Sequence, residues 1–269
     1  MGETSSEQVV EKKNVVLLGA GRVATHLAPA LVKAGYRVVH VWSRTEASAC
    51  KIATPLGVAH SHDLEAVPTD ADIYIACVSD NALPEVAEQV VARVGTAPLF
   101  LHTAGSVGLE FWKCCGASRY GILYPLQTFS KERPVNVNEV AFFVEASDEK
   151  VMVEVEGLAR KLSGKVFHAN SERRARLHIA AVFACNFANA MYDVAHCLLS
   201  EEGIPFEVLL PLIDETSAKV HVLAPHDAQT GPAVRGDIAV MQSHMEALAC
   251  NEDLRAMYAL ISNYINKNK

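Results

Sequence analysis

The sequence predicts an α/β fold, with a doubly wound and mostly parallel sheet, followed by an all-α helical domain. In the first half of the chain, short apolar segments alternate with helix-like segments, which is the pattern of βαβ units. From residue 171 onward the pattern is helical throughout. We therefore expect a disordered or poorly ordered N-terminus over residues 1–13, a sheet domain over residues 14–169 and a helical domain over residues 170–269.

The strands of the sheet are predicted from short apolar runs. They lie at residues 15–18, 37–42, 73–78, 99–102, 120–123, 140–145 and 165–167. Helix-like stretches at residues 24–34 and 83–94 separate early strands, as parallel pairing requires. Pro29 falls inside the first of these helices and is expected to kink or shorten it.

The helical domain is predicted to begin with one long helix, because residues 172–202 contain no Gly or Pro and are rich in Ala and Leu. Gly203 and Pro205 are expected to end this helix. Three further helices are expected at residues 207–223, 238–248 and 253–266. Pro211 is expected to kink or delay the first of these three.

Composition and charge exclude several classes of protein. The chain has 24 Lys and Arg against 31 Asp and Glu, a formal net charge of −7, so it lacks the overall basic field that attracts nucleic acid. No run of about twenty apolar residues occurs, so we expect no membrane partner. The seven cysteines form no CxxC pair, and the first thirteen residues lack the apolar segment of a signal peptide. We therefore expect a cytoplasmic protein without a metal site.

A glycine-rich turn follows the first strand and opens the first helix. Residues 19–24 read GAGRVA, a GxGxxA motif in the strand–turn–helix context that a dinucleotide site requires. Gly19 suits the tight turn, Gly21 lets the backbone approach a pyrophosphate, and Ala24 allows close packing of the helix on the strand. The alternative is a glycine turn without a ligand. The residues predicted to contact the cofactor of this Rossmann-like domain are Gly19, Ala20, Gly21, Arg22 and Val23.

The end of the second strand indicates which dinucleotide is bound. An NAD site has an acidic residue about twenty residues after the glycines, which accepts a hydrogen bond from the ribose 2′-hydroxyl. Here the chain has Ser43, Arg44 and Thr45, with no acid before Glu46. Arg44 can pair with a 2′-phosphate, the two hydroxyls can donate to it, and Arg22 can add a second positive charge. We therefore predict NADP (NADPH) rather than NAD; the alternative is that Arg44 is only a solvated surface residue.

Small and polar residues lie at the ends of the next two strands, where open α/β sheets bind ligands. Val78, Ser79 and Asp80 lie at the end of one strand, and Thr103 and Gly105 follow the other. These residues suit the flat nicotinamide ring, and we predict that all five contact the cofactor. The alternative is ordinary turn chemistry, in which the first of these loops caps the next helix.

The long helix carries a narrow polar stripe. At 100° per residue, His178, Asn186, Asn189, Asp193 and His196 fall on one side of the helix, and apolar side chains occupy most of the remainder. We therefore expect a largely buried helix whose polar stripe has partners. Those partners are either the substrate and the nicotinamide, or neighbouring helices of a dimer.

Two further segments combine a proline with polar side chains. Tyr124 and Gln127 belong to residues 124–130, which read YPLQTFS and follow a predicted strand. Arg235 lies in a tight polar loop of residues 230–237 and can clamp a carboxylate. The alternative for this loop is a turn, with Asp237 capping the next helix. The residues predicted to contact the substrate are Gln127, Asn189 and Arg235.

Seven segments together resemble a bacterial family of NADP oxidoreductases, in which a Rossmann-like domain precedes a helical domain of unknown function. In order they read GAGRVA, SRT, VSDNAL, HTAGS, YPLQTFS, LHIAAVFACNF and TGPAVRGD, and they span nearly the whole chain. The family is similar to pyrroline-5-carboxylate reductases, 6-phosphogluconate and β-hydroxyacid dehydrogenases, and deazaflavin-dependent NADP reductases. The resemblance implies an NADP-dependent oxidoreductase that transfers a hydride to or from a small carbonyl or imine metabolite, and a homodimer formed through the helical domain.

One departure from this wider group concerns the proton donor. The β-hydroxyacid dehydrogenases have a Lys four residues before an Asn on the long helix; here Asn186 matches the Asn, but Val182 replaces the Lys. We therefore predict three catalytic residues: Asn186 to orient the substrate, with His178 and Tyr124 as proton donors. The missing lysine disfavours a β-hydroxyacid substrate. It leaves two alternatives open: a non-catalytic NADP-binding sensor or regulatory protein, and a deazaflavin-linked NADP reductase.

Overall fold

The structure, a computed structural model, describes residues 12–268. The chain divides into two compact units, one ending at Asn189 and the other beginning at Ala190. The N-terminal segment predicted to be poorly ordered, residues 1–13, lies outside the described residues except for its last two.

One eight-stranded sheet forms the centre of the first unit. Its strands are β1 (Asn14–Leu18), β2 (Arg37–Trp42), β3 (Ala59–Ser61), β4 (Ile73–Ala76), β5 (Leu99–His102), β6 (Arg119–Leu126), β7 (Ala141–Ala146) and β8 (Val166–His168). In space they follow the order β3-β2-β1-β4-β5-β6-β7-β8. All neighbours are parallel except β6 and β7, which are antiparallel. This confirms the predicted doubly wound, mostly parallel sheet.

Helices cover both faces of the sheet. They are α1 (Arg22–Lys33), α2 (Glu46–Leu56), α3 (Leu83–Val94), α4 (Glu110–Cys114) and α5 (Glu149–Leu162). Successive side chains of a strand point to opposite faces. Val15 and Leu17 of β1 belong to the apolar cluster that includes residues of α1, α2 and α5, whereas Val16 and Leu18 belong to the cluster that includes residues of α3 and α4. The sheet is therefore buried between two apolar layers. Polar side chains that bind a ligand are expected at the ends of its strands rather than on its faces.

Helix α1 forms although it contains a proline. Its buried residues Ala24, Leu27, Ala28 and Leu31 recur every three or four positions and form one apolar stripe. The helix continues through Pro29 to its end at Lys33, so the proline does not shorten it.

Strand β6 is longer than the sequence predicts. The prediction that Tyr124 follows a strand is wrong, because β6 runs to Leu126 and Tyr124 lies inside it. The extension comes from antiparallel pairing with β7, in which Tyr124 lies opposite Phe143. Pro125 conceals this extension in the sequence, since proline argues against a strand.

The long helix is present but is neither uniform nor buried. It consists of α6 (Ser171–Ala181), a π-helical segment (Val182–Phe187) and α7 (Ala188–Glu201). Ile179, Phe183 and Phe187 are 58%, 65% and 49% exposed, so the prediction of a largely buried helix is wrong for the single chain. An apolar face in a sequence indicates burial, but it does not distinguish the chain's own core from an interface between chains.

The second unit is helical, as predicted. After α7 it contains α8 (Leu210–Lys219), α9 (Pro232–Arg235), α10 (Ile238–Ala247) and α11 (Glu252–Lys267). A 3₁₀ turn at Phe206–Leu209 precedes α8, so Pro211 lies in the first turn of a delayed helix. Asp237 caps α10 by accepting a hydrogen bond from the Val240 N–H, whereas the loop predicted at residues 230–237 contains the short helix α9. Every helix within residues 12–268 is too short or too polar to cross a bilayer.

Candidate active site

The residues predicted to contact the cofactor lie at one edge of the sheet. Strands β1, β2, β4, β5 and β6 run parallel, so their carboxyl ends share that edge. The pairing of β5 with β6 ends at His102 and Ile122, and Tyr124 lies two residues further along β6. Tyr124 therefore belongs to the same edge as the glycine turn and the loops after β4 and β5.

The glycine turn after β1 has the backbone geometry that the motif requires. Gly19 has a φ of +116°, and its N–H donates to the carbonyl of Trp42 at 2.8 Å. A Cβ at this position would lie 2.8 Å from the carbonyl carbon and oxygen of Cys77. Gly21 is the N-cap of α1, and the first turn of that helix contains no acidic residue. The N–H groups and the positive dipole end of α1 are therefore suited to a phosphate group.

A groove of about 340 Å³ adjoins this turn. Its walls come from the turn, the end of β2 and the loop after β4, and they are formed by Gly19, Ala20, Gly21, Trp42, Ser43, Arg44, Thr45, Ser48, Cys77, Val78, Ser79 and Ala82. None of these described lining residues is acidic. Arg44 is exposed at the groove, with a hydroxyl side chain on either side of it in the sequence. This donor set fits a dinucleotide that carries a 2′-phosphate.

The first acid after the second strand is held by two histidines. The carboxylate of Glu46 lies 2.8 Å from His62 Nδ1 and 3.1 Å from His60 Nε2. The hydrogen bond from His62 is the main reason why the pKa of Glu46 lies below its usual value. The described residues that line the groove do not include Glu46.

The loops after β4 and β5 are joined to each other. Ser106 Oγ donates to the carboxylate of Asp80, and the Thr103 N–H donates to the carbonyl of Ala76 at 3.1 Å. The first loop also makes ordinary turn contacts, because the N–H groups of Ala82 and Leu83 donate to the carbonyl of Ser79 at 2.9 and 3.0 Å. The N-cap of α3 is Ala82, which makes no side-chain capping bond. The loop that lines the groove is thereby connected to the loop that carries Gly105.

Two buried groups near these loops are uncharged. Burial raises the pKa of the Cys77 thiol to about 12, so it remains protonated. Burial, together with the positive charge of Arg174, lowers the pKa of His102 to about 3. His102 Nδ1 accepts a hydrogen bond from the Ala104 N–H at 3.2 Å and so shapes the start of the loop.

The two candidate proton donors contact each other. Tyr124 Oη lies 3.1 Å from His178 Nδ1, and the two rings meet edge to face. Gly105 lies against the pair, because a Cβ there would be 2.8 Å from His178 Nδ1 and 2.9 Å from Tyr124 Cζ. Burial raises the pKa of Tyr124, and the charge of Asp80 adds to this, while Arg174 opposes it. Tyr124 therefore keeps its proton at neutral pH.

The remaining residues predicted to be catalytic or to contact the substrate are Asn186, Asn189 and Gln127 of the first unit and Arg235 of the second. Asn186 is exposed within the π-helical segment, and Asn189 is exposed at the start of α7. The π-helical segment turns less per residue than an α-helix, so the constant 100° step does not hold across it. Gln127 Oε1 accepts a hydrogen bond from the Thr128 N–H at 2.8 Å, and Arg235 is an exposed residue of the second unit. Their contacts with substrate stay predictions.

A buried ion pair between Glu145 and Arg174 is not predicted from the sequence. Both residues lie in predicted elements, but a single sequence does not reveal which strand end meets which helix turn. The only indication of the ion pair in the sequence is the acidic Glu145 at the end of an apolar strand, and an acidic residue is equally typical of a strand end that is exposed to solvent.

Two family descriptions match different parts of the chain. Residues 14–97 match the family described as “NADP oxidoreductase coenzyme F420-dependent”. Residues 140–265 match a domain of unknown function, DUF2520. No match was found among curated proteins.

Solved structures share this architecture over nearly the whole chain. A protein from Thermotoga maritima is 21% identical, with a TM-score of 0.69 and coverage of 94% of this chain and 97% of that chain. An imine reductase from Myxococcus stipitatus in complex with NADP+ is 18% identical, with a TM-score of 0.67 and coverage of 94% and 93%. At these identities the two structures show the fold alone.

A “putative NADP oxidoreductase” from Bacteroides fragilis is much more similar. It is 43% identical, with a TM-score of 0.91 and coverage of 95% of this chain and 98% of that chain. The matched region includes residues of both the sheet domain and the helical domain. The chain therefore belongs to the NADP oxidoreductase family, in which an NADP oxidoreductase domain is followed by a DUF2520 domain.

Proposed function

We propose that this protein is an NADP-dependent oxidoreductase that transfers a hydride to or from a small carbonyl or imine metabolite. The observation that carries the proposal is the hydrogen bond between Tyr124 Oη and His178 Nδ1, at the sheet edge that holds the dinucleotide groove. Reduction of a C=O or C=N bond requires a hydride at carbon and a proton at the heteroatom. The groove would bind the hydride donor, and the Tyr124–His178 pair would supply the proton.

The cofactor is held by the groove. The N–H groups at the start of α1 would bind the pyrophosphate, and Ser43, Arg44 and Thr45 would bind the 2′-phosphate. The loops of Ser79 and Thr103 would contact the nicotinamide. The chemistry that bound NADPH would supply here is transfer of a hydride.

The Tyr124–His178 pair supplies the proton in the reductive direction. Tyr124 Oη holds a proton at neutral pH and gives it to the substrate oxygen or nitrogen. His178 Nδ1 lies within hydrogen-bond distance and returns a proton to Tyr124 Oη. Asn186 of the π-helical segment orients the substrate heteroatom, in the position at which β-hydroxyacid dehydrogenases also have an asparagine.

A comparison of substrate classes tests this function. Purified protein with NADPH is mixed with cyclic imines, 2-keto acids and simple aldehydes, and with NADP+ and β-hydroxyacids, and the NADPH absorbance is followed. We expect consumption of NADPH with imines or carbonyl compounds and little reaction with β-hydroxyacids, because Val182 replaces the lysine that those substrates use. Tight binding of NADPH without consumption by any compound would instead support a non-catalytic NADP-binding sensor.

One observation favours a second function. The family that matches residues 14–97 is described as coenzyme F420-dependent, and F420 is a deazaflavin. We therefore include oxidised deazaflavin with NADPH in the same comparison. Reduction of the deazaflavin together with inertness toward imines and carbonyls would favour the deazaflavin-linked reaction.

We also propose that the protein acts as a homodimer. Ile179, Phe183 and Phe187 recur every four residues and form an exposed apolar face on the long helix. The second unit exposes its own large apolar side chains, among them Val208, Leu212, Val222, Ile238, Leu260 and Tyr264. Monomeric proteins rarely expose so much apolar area, and a second copy of the chain offers the same surfaces in return.

Analytical ultracentrifugation tests the dimer. The wild-type protein is expected to sediment as a dimer at micromolar concentration, and the double variant Phe183→Asp/Phe187→Asp as a monomer, because two buried carboxylates would oppose association. Val153→Asp is the matched control, since Val153 is an exposed apolar residue of α5. A monomeric wild-type protein, or a double variant that stays dimeric, would rule out this interface.

A further inference from the structure

A buried ion pair joins α6, β7 and the loop after β5, which consists of residues 103–109 and is called the Gly105 loop below. Arg174, in the first turn of α6, is 1% exposed and donates to the carboxylate of Glu145 at the end of β7. It also donates to the carbonyl of Val107 in the loop after β5. The Glu145 carboxylate accepts two more hydrogen bonds from Ser171, from its N–H at 3.0 Å and from its hydroxyl at 2.8 Å. Helix, strand and loop are thus fixed to one another by a single pair of charges.

We propose that Arg174 is a positioning residue: together with Glu145, it fixes α6, β7 and the Gly105 loop so that Tyr124 Oη stays within reach of His178 Nδ1. The inference rests on the proposed function of the Tyr124–His178 pair and adds a residue that acts through that pair. Arg174 does not donate the proton itself, because a guanidinium keeps its protons in proteins.

Each member of the proton-donor pair is structurally close to Arg174. His178 follows Arg174 by four residues on α6, which is about one helical turn. Tyr124 lies opposite Phe143, and Glu145 is two residues further along β7 and on the same face. A shift of α6 relative to β7 would therefore lengthen the hydrogen bond between the ring of His178 and the hydroxyl of Tyr124.

A buried ion pair is not by itself a source of stability, because removing two charges from water carries a large desolvation cost and well-packed apolar residues often replace such a pair without loss of stability. Arg174 also acts on the neighbouring hydroxyl, because its positive charge lowers the pKa of Tyr124 against the effect of burial. The charge thus makes Tyr124 a better proton donor than burial alone would leave it.

Three variants of the full-length protein test the proposal. The double variant Glu145→Gln/Arg174→Met removes both charges and leaves no uncompensated buried ion. Arg174→Lys keeps the positive charge but loses the planar guanidinium, which can donate two parallel hydrogen bonds. Arg176→Met is the matched control, since Arg176 lies on the same helix and pairs with Glu172 at 2.9 Å in an exposed position. For each we measure NADPH affinity, kcat and KM as functions of pH, and the pH titration of the Tyr124 ring carbon by NMR.

We expect the double variant to bind NADPH as tightly as wild type, to lose about 10- to 100-fold in kcat, and to titrate Tyr124 at higher pH. Arg174→Lys should restore the Tyr124 titration and part of kcat, and Arg176→Met should match wild type. A folded double variant with wild-type kcat and wild-type Tyr124 titration would overturn the proposal and leave the pair a purely structural one. If the double variant does not fold, Arg174→Lys decides: a lower melting temperature with unchanged kcat would overturn it.

The NMR titration also separates this inference from the proposed function. If the wild-type protein consumes no NADPH with any of the compounds compared, the proposed function fails. The NMR signal of the Tyr124 ring still reports whether Arg174 changes the pH at which Tyr124 titrates. A Tyr124 titration that is the same in wild type and the folded double variant would count against Arg174 in that case as well.

Discussion

Replacing Tyr124 by Phe is expected to lower kcat by about 10²- to 10⁴-fold, the usual contribution of a positioned general acid. The substitution removes only the hydroxyl that lies 3.1 Å from His178 Nδ1 and leaves the ring in place. NADPH affinity should not change, because the groove at Arg44 and the glycine turn do not use Tyr124. The measurement is steady-state NADPH oxidation with the best substrate found in the comparison of imines and carbonyls.

Three further variants make this test specific. His178→Ala should lower kcat by a similar factor. The kcat of the double variant Tyr124→Phe/His178→Ala should be only slightly below that of the less active single variant, because both residues transfer the same proton. Tyr120→Phe is the matched control, since Tyr120 is a buried tyrosine of the same strand that packs in the apolar core. Equal kcat for Tyr124→Phe and Tyr120→Phe would remove Tyr124 from the mechanism.

The parts of the fold that depend on local sequence could be predicted. Strands β2 and β5 and helix α3 have the predicted bounds, because each is a short periodic segment ended by turn residues. The glycine turn was also readable, since its strand–turn–helix context lies within one stretch of chain. Strand β3 has only three residues at a sheet edge and was not predicted, because so short a run has no distinct period.

The parts that depend on tertiary pairing could not be predicted. Tyr124 lies inside β6 only because β7 pairs with it in the antiparallel sense. The meeting of Arg174 with Glu145 joins residues 29 positions apart in different elements. The π-helical segment changes the direction of Asn186 relative to His178, and a helical wheel with a constant step does not contain that change.

The second large effect is expected at the groove beside the glycine turn. Arg44 is an exposed cation there, and the described lining residues include no carboxylate. A hydrogen bond to a charged group contributes about 1.5–3 kcal/mol, which corresponds to about 10- to 100-fold in affinity. Arg44→Ala should therefore weaken NADPH by about that factor and leave NADH nearly unchanged, because NADH has no 2′-phosphate for Arg44 to bind.

The most direct test is a side-by-side calorimetric titration of NADPH and NADH into the wild-type protein and into Arg44→Ala. We expect wild type to bind NADPH at least about tenfold more tightly than NADH, and we expect this preference to be lost in Arg44→Ala. Equal affinities for the two nucleotides in the wild-type protein, or a preference that survives the substitution, would contradict the 2′-phosphate site at Ser43, Arg44 and Thr45. Failure to bind either nucleotide would contradict the whole account of the groove.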